Sequence, residues 1–463
     1  MIAILASLVL AASIQDAPQP DPTAVPPGVH CGLGKDFHAG RRTALAELLE
    51  HEGVLVLRGL HETRDYTRFH QDKTFWYLTG IESPDAALAI DLETGREVLF
   101  LPPFNANYEI WNGERWDADD EWVTPLTGIG EVRSVRDMEA VLGEMIDEGE
   151  RVWISYHPWV ALSGGYDRAL PADNAQARDP LDGRANREKQ LKLRLEELYS
   201  ASVKNCARKI IELRMVKTDE ELDALRRAST AGALAMSEAI RSTRVGLGEW
   251  EIDSLMAWVQ RRNGAAGSAY HPIIGSGANS LTLHYQANNR RMLDGDILLV
   301  DYGPEIDHFV TDITRTWPVN GKFTERQAEL YDAVLAAQLA GIAAAKPGAT
   351  IGDVNRAANS LLEERGFGQL ILHGVCHWVG MEVHDPGSMR HELAAGMVFT
   401  VEPGLYEQST GIGIRIEDVV VITEDGCEVI TAGVPKSREE MESLVAEAGI
   451  LDRLDGDAPD VAR

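Results

Sequence analysis

The chain has 463 residues, 44% of them hydrophobic and 25% charged, which excludes a disordered chain and allows two or three domains with cores of their own. Its 73 acidic residues outnumber 44 basic ones, for a formal net charge of -29, which argues against nucleic acid and anionic membrane surfaces as partners and suits the binding of cations. The four cysteines, Cys31, Cys206, Cys376 and Cys427, lie far apart and form neither a CxxC pair nor a disulfide framework, so they read as free thiols.

Residues 1–29 come first, as a possible signal peptide with a Pro-rich leader. "MIAILASLVLAASI" has the apolar length of a signal-peptide core, with Ala11 and Ser13 placed as in a small-x-small cleavage site. No Lys or Arg precedes Lys35, so the cationic segment is missing, and an exported or periplasmic location is favoured over a cytoplasmic one on the apolar core alone. Every later apolar run is shorter than the ~18 residues of a membrane span. Residues 30–208 alternate short β-branched runs, "GVLVLRG" and "RVWISY", with helical stretches, and contain a hairpin, "AALAIDLETGREVLFLPP", turned at Glu93 to Arg96. That alternation predicts an α/β domain, closed by a polar surface loop, "ALSGGYDRALPADNAQARDPLDGRANRE". Residues 209–450 form a second domain. Its first helix opens with a capping box, Thr218 with Glu221, and carries Leu222 and Leu225 on one face; Thr324 with Gln327 opens another, with Leu330, Val334, Leu335 and Leu339. A further helix closes at Gly366, and residues 451–463 read as a flexible tail.

The acids of the second domain occupy unusual places. "GDILLVDYGPEIDHFVTDITRT" reads as a hairpin of strands 295–303 and 308–319 turned at "PEID", which sets Asp301 opposite Val310 and Asp312 opposite Leu299. Parity then puts Asp301 and Asp312 on one face as diagonal neighbours, roughly 7–8 Å apart, a spacing a cation can bridge. Glu305 and Asp307 fall in the turn, where solvated acids are ordinary. Glu402 ends the strand "AGMVFTVEPG", and Glu417 interrupts the apolar alternation of "GIGIRIEDVVVITEDG", read as one strand. Buried carboxylates must be paired, protonated or metal-bound. Between these acids lies "HGVCHWVGMEVHD", with His373, His377 and His384, and upstream is His284. Four carboxylates with an imidazole suit two divalent ions about 3.5–4 Å apart that activate a shared water.

"VDYG", "TDITRTWPVNGKFT", "HGVCHWVGMEVHD", "TVEPGLY" and "GIGIRIED", in this order, resemble the catalytic domain of the proline-specific dinuclear metallopeptidases of pita-bread fold, most closely aminopeptidase P. "FWYLTG" and "YEIWNGERW" resemble that family's N-terminal domain. The resemblance implies an α/β (α+β) protein, with an N-terminal domain of creatinase/aminopeptidase P type before a pita-bread domain. It implies Asp301, Asp312, His377, Glu402 and Glu417 as metal ligands, with Asp312 and Glu417 bridging. A carboxylate-rich set with one imidazole favours Mn²⁺, with Zn²⁺ or Co²⁺ as alternatives. By the same resemblance Glu402 handles the catalytic proton, His284, His373 and His384 line the substrate site, and Arg415 orients the substrate. Trp111 matches a position that reaches a neighbouring subunit's proline pocket. The implied substrates are peptides with N-terminal Xaa-Pro, and the implied assembly a homodimer or homotetramer. Two alternatives stay open: an Xaa-Pro dipeptidase (prolidase), and a non-catalytic binding protein on the same fold. A creatinase-like activity lacks this ligand set.

Overall fold

The computed structural model describes residues 24–455. The apolar segment at the start of the leader lies outside the described residues, and among these no helix is long and apolar enough to cross a membrane.

Six strands build the N-terminal sheet: β1 (Val54–Arg58), β2 (Ala87–Asp91), β3 (Arg96–Leu101), β4 (Glu131–Ser134), β5 (Arg151–Ile154) and β6 (Ser202–Asn205), in the order β4-β3-β2-β1-β5-β6. Each central strand is apolar on both sides because both faces are covered. Leu55, Leu57, Leu88 and Leu99 enter one core, and Val54, Val56, Ala89 and Val98 enter the other. The expected hairpin is β2 with β3. The segment expected to be a surface loop is different: residues 166–178 form a helix, Tyr166–Arg178, despite Pro171 within it. Its hold comes from tertiary contacts described below.

The C-terminal half carries β7 (Gly267–Ser268), β8 (Ile273–Ser276), β9 (Ile297–Asp301), β10 (Pro304–Ile306), β11 (Phe309–Val310), β12 (Thr314–Pro318), β13 (Val398–Val401), β14 (Gly404–Glu407), β15 (Ile412–Arg415), β16 (Asp418–Ile422) and β17 (Cys427–Val429). They form small antiparallel sheets, β11-β10-β7, β12-β9-β8, β13-β16-β17 and β14-β15. Capping boxes open the helices Asp219–Ser242 and Glu325–Ala344 at Thr218 and Thr324, and these helices pack against Glu249–Arg262 and Ile351–Glu364 respectively. Met236, Ile240, Leu330, Val334, Val300, Trp317, Phe399 and Ile414 share one core, while Leu339 is exposed. A second apolar cluster runs from Phe75 and Trp76 of the N-terminal half to Phe309, Val310, Val398 and Val419, so the two halves are joined by core packing.

Four expectations are corrected here. The hairpin turns at Asp307 and His308, both with positive φ of 48° and 63°, as a two-residue turn requires. Asp301 therefore pairs with Thr314, and Glu305 with Val310. The slip moves each partner by an even number of residues, so Asp301 and Asp312 still share a face. Glu305 is no turn acid: it lies on β10 and is buried. The strand through Glu417 is two strands, β15 and β16, which belong to different sheets and leave Glu417 in the break. At the tail, residues 450–455 are helical, held where Ile450 N donates to Glu238 Oε1 (2.5 Å) and Arg244 pairs with Asp452 (2.6 Å).

Candidate metal centre

Strand ends bring the acids together. Asp301 closes β9, and Asp312 lies between β11 and β12. The Tyr270 hydroxyl is 2.6 Å from Asp301 Oδ1 and 2.5 Å from Asp312 Oδ1. One hydroxyl carries one proton, so only one of these contacts can be its donation; the carboxylates sit close enough to compete for it. Glu417 is tied in by its backbone N–H, which donates to Thr314 O (3.0 Å), and by Thr314 Oγ1, which donates to its Oε2 (2.6 Å). Its other oxygen, Oε1, is buried without a hydrogen-bond partner. Glu402 follows β13 directly, its N–H donating to Val375 O (2.7 Å).

His377 faces this group. Its Nδ1 donates to Trp378 O (3.1 Å), which leaves the Nε2 lone pair inward, 3.5 Å from Asp312 Oδ2, 3.5 Å from Glu402 Oε1 and 3.8 Å from Glu417 Oε1. Burial, with His384 alongside, lowers the His377 pKa to about 3, so the imidazole is neutral and free to ligate.

The carboxylates divide electrostatically. Burial raises Asp301, but Arg415, whose Nη2 donates to Asp301 Oδ2 (2.6 Å), more than offsets this and leaves it lowered. Burial pushes Asp312, Glu402 and Glu417 well above the carboxylate range, and their mutual repulsion adds to it. Three crowded acids without adequate cationic balance, an orphaned carboxylate oxygen and one inward imidazole are the donor set of a divalent-cation site. Ligand atoms of Asp312, His377 and Glu417 all lie within 4.8 Å of one another.

Around this centre, Arg415 also donates to Thr314 Oγ1 (3.1 Å) and to the Tyr406 hydroxyl (2.8 Å). Tyr406 in turn donates to His373 Nε2 (2.8 Å), whose Nδ1 donates to Gly374 O (2.8 Å). Burial, helped by Arg415, lowers His373 to about 4. The His384 ring packs 4.2 Å from that of His377, and its Nδ1 meets Asp167 Oδ2 at 3.1 Å. His284 Nδ1 receives Arg168 Nη2 at 2.7 Å. Trp111 stands apart, 79% exposed on the short helix Ala106–Asn112 of the N-terminal half. Cys376 is buried, its thiol pushed well up by burial and by Glu402. A groove of about 1400 Å³ opens beside His377 and His384, walled on the other side by Tyr166, Asp167 and Leu170.

Sequence reading passed over Tyr270, Thr314, Tyr406, Asp167 and Arg168. Tyr406 ends the "TVEPGLY" run and was within reach of a motif-based reading. Tyr270 and the Asp167–Arg168 pair lie in segments without pattern, and only the fold brings them here.

Comparison with known proteins agrees with this geometry. Residues 223–424 match the model of metallopeptidase family M24, and residues 38–153 match that of the aminopeptidase P N-terminal domain. The chain is 31% identical to the Xaa-Pro aminopeptidase of Haemophilus influenzae, covering 89% of this chain and 97% of the relative. It is 32% identical to that of Escherichia coli, over 89% and 98%. The solved aminopeptidase P from E. coli with the inhibitor Pro-Leu superposes with a TM-score of 0.74 at 30% identity, covering 89% of this chain and 98% of the other. Fold and site together define a metal-dependent hydrolase of peptides. The chain belongs to metallopeptidase family M24, in its aminopeptidase P branch, and is an exopeptidase that works with divalent metal ions.

Proposed function

We propose that this site releases the first residue from peptides whose second residue is proline, using two divalent ions held by Asp301, Asp312, His377, Glu402 and Glu417. In this reading all five side chains would serve as ligands when the ions bind, His377 through Nε2 and the four acids through their carboxylates. Mn²⁺ is the preferred ion, because oxygen donors dominate the set and no thiolate joins it. Such ions, when bound, acidify water and polarise the scissile carbonyl.

The chain's own groups do the rest. Glu402 accepts the attacking water's proton on its carboxylate and passes it to the proline nitrogen, which cannot leave as a bare anion. Arg415, fixed by Asp301, Thr314 and Tyr406, keeps the first acid ionised and oriented. His284, His373 and His384 hold the peptide at the reacting bond. Proline has no N–H and a fixed ring, so a rigid pocket selects it by shape. Trp111 is exposed on its own chain and serves a neighbouring subunit in a homodimer or homotetramer.

The observation that carries this reading is the His377 Nε2 lone pair facing three carboxylates at 3.5–3.8 Å. The test strips the protein with chelator, restores Mn²⁺, and offers an Xaa-Pro-Xaa tripeptide beside an Xaa-Pro dipeptide. Mn²⁺-dependent release of the first residue from the tripeptide is expected. Cleavage of the dipeptide alone would make the protein a dipeptidase, and no cleavage with any divalent ion would overturn the reading.

A further inference from the structure

We infer that Asp167 and Arg168, consecutive residues opening the Tyr166–Arg178 helix, are positioning residues that fix His384 and His284 in opposite tautomers. The inference rests on the proposed reaction for its consequence, but its geometry stands alone. Arginine has only donors, so the His284 nitrogen 2.7 Å from Arg168 Nη2 must offer a lone pair. His284 is then neutral with its proton on Nε2, a donor suited to a substrate carbonyl. A carboxylate has only acceptors, so His384 Nδ1, 3.1 Å from Asp167 Oδ2, carries the proton. In the neutral ring this tautomer turns the Nε2 lone pair to water or to a substrate N–H.

The helix start can do this because it is stitched to the catalytic half. Val383 N donates to Ser163 O (2.8 Å), and Ser163 N to Ala269 O (3.0 Å). The fully buried Glu382 accepts from Tyr166 N (3.1 Å) and Arg214 (3.0 Å), and contacts His157 at 2.7 Å. Gly165 is required by space: a Cβ there would sit 2.7 Å from His384 Cβ. The N-terminal half thereby supplies one wall of the site and orients two histidines that belong to the other half.

The test combines spectroscopy and kinetics on the full chain. Long-range ¹H–¹⁵N correlation of ¹⁵N-histidine protein, metal-free and loaded with diamagnetic Zn²⁺, reads each tautomer, with His284→Gln and His384→Gln assigning the signals. Wild type should show His384 as the Nδ1–H form and His284 as the Nε2–H form. Asp167→Ala should turn His384 into a tautomer mixture, whereas Asp167→Asn, whose amide oxygen still accepts, keeps Nδ1–H. With Mn²⁺ and the tripeptide, Asp167→Ala and Arg168→Ala should each lower kcat about tenfold, and Asp167→Asn and Arg168→Lys should stay within about threefold of wild type. Gly165→Ala, which pushes the wall off His384, should follow the alanine variants. His384 found as Nε2–H in wild type, or tautomers and rates unmoved in both alanine variants, would overturn the inference. An inactive wild type with the expected tautomers would instead count against the reaction and leave the positioning role in place.

Discussion

Two groups of buried carboxylates in this protein behave in opposite ways. In the metal centre Asp312 and Glu417 are 5% and 1% exposed; Glu305, between the halves, is 4% exposed, and Asp385, within the C-terminal half, is 6% exposed. Burial pushes all four up. At Glu305 the Lys73 ammonium (2.8 Å), with His70 (2.6 Å) and the Ser163 hydroxyl beside it, reverses this and holds the acid well below its usual range. Asp385 is lowered in the same way by Arg214 (2.5 Å) and Lys217 (3.2 Å). In the metal centre Asp312 and Glu417 face other acids and stay raised. Burial therefore does not mark a cation site. Uncompensated charge does.

The largest effect should come from Glu402→Ala, which removes a ligand and the proton carrier together. Mn²⁺-dependent cleavage should fall by about 10³-fold or more while far-ultraviolet circular dichroism is unchanged. Retained activity would separate the acid cluster from the chemistry.

Next comes the contrast itself, read in urea unfolding of the metal-free protein. Glu305→Gln leaves Lys73 and His70 without their shared anion and should cost about 3 kcal/mol. Asp312→Asn removes one of several repelling charges and should gain about 1 kcal/mol. Equal losses in both variants would erase the distinction between the two groups.

A smaller effect follows pH. His38 is buried and neutral, its Nδ1 donating to Tyr77 O (3.0 Å) and its Nε2 accepting from Leu33 N (3.1 Å). Burial lowers its pKa from 6.5 to about 4. The unfolded chain therefore takes up the proton first, and this contribution to stability is complete above pH 6.5 and lost as pH falls toward 4. Glu305 is also lowered, so its contribution is present above the ordinary carboxylate pKa of about 4.3 and lost as pH falls further. His38→Gln should remove the part of the fall in melting temperature that this histidine contributes as pH drops from 6.5 toward 4. The smallest change belongs to the exposed pair Arg227–Asp307 (2.8 Å), where Arg227→Ala should cost less than about 1 kcal/mol.

How much of this was legible in the sequence depended on range. Asp301, Asp312, Glu402 and Glu417 stand at strand ends or breaks, where a carboxylate interrupts an apolar run within a few residues. The face shared by Asp301 and Asp312 survived a misplaced turn because parity tolerates an even slip. Glu305 was misread because its partners Lys73 and His70 are more than 200 positions away, at a separation of 232 and 235 residues. The Tyr166–Arg178 helix was hidden by Pro171 and by a composition without an apolar stripe, and it forms where Glu382 and Ser163 anchor its start. Pattern reading finds acids at the ends of strands. It does not find the cations that neutralise some of them and are absent from others.

The most direct measurement is the melting temperature of the chelator-stripped protein as Mn²⁺ is added, for wild type and for Asp312→Asn. If the crowded acids form a cation site, Mn²⁺ should raise the wild-type midpoint by several degrees, about 3 kcal/mol at a hundredfold excess over the dissociation constant, and leave the variant nearly unmoved. The stripped variant should also melt above the stripped wild type. A wild-type midpoint indifferent to Mn²⁺, or a stripped variant less stable than its parent, would contradict the assignment of uncompensated charge to this centre.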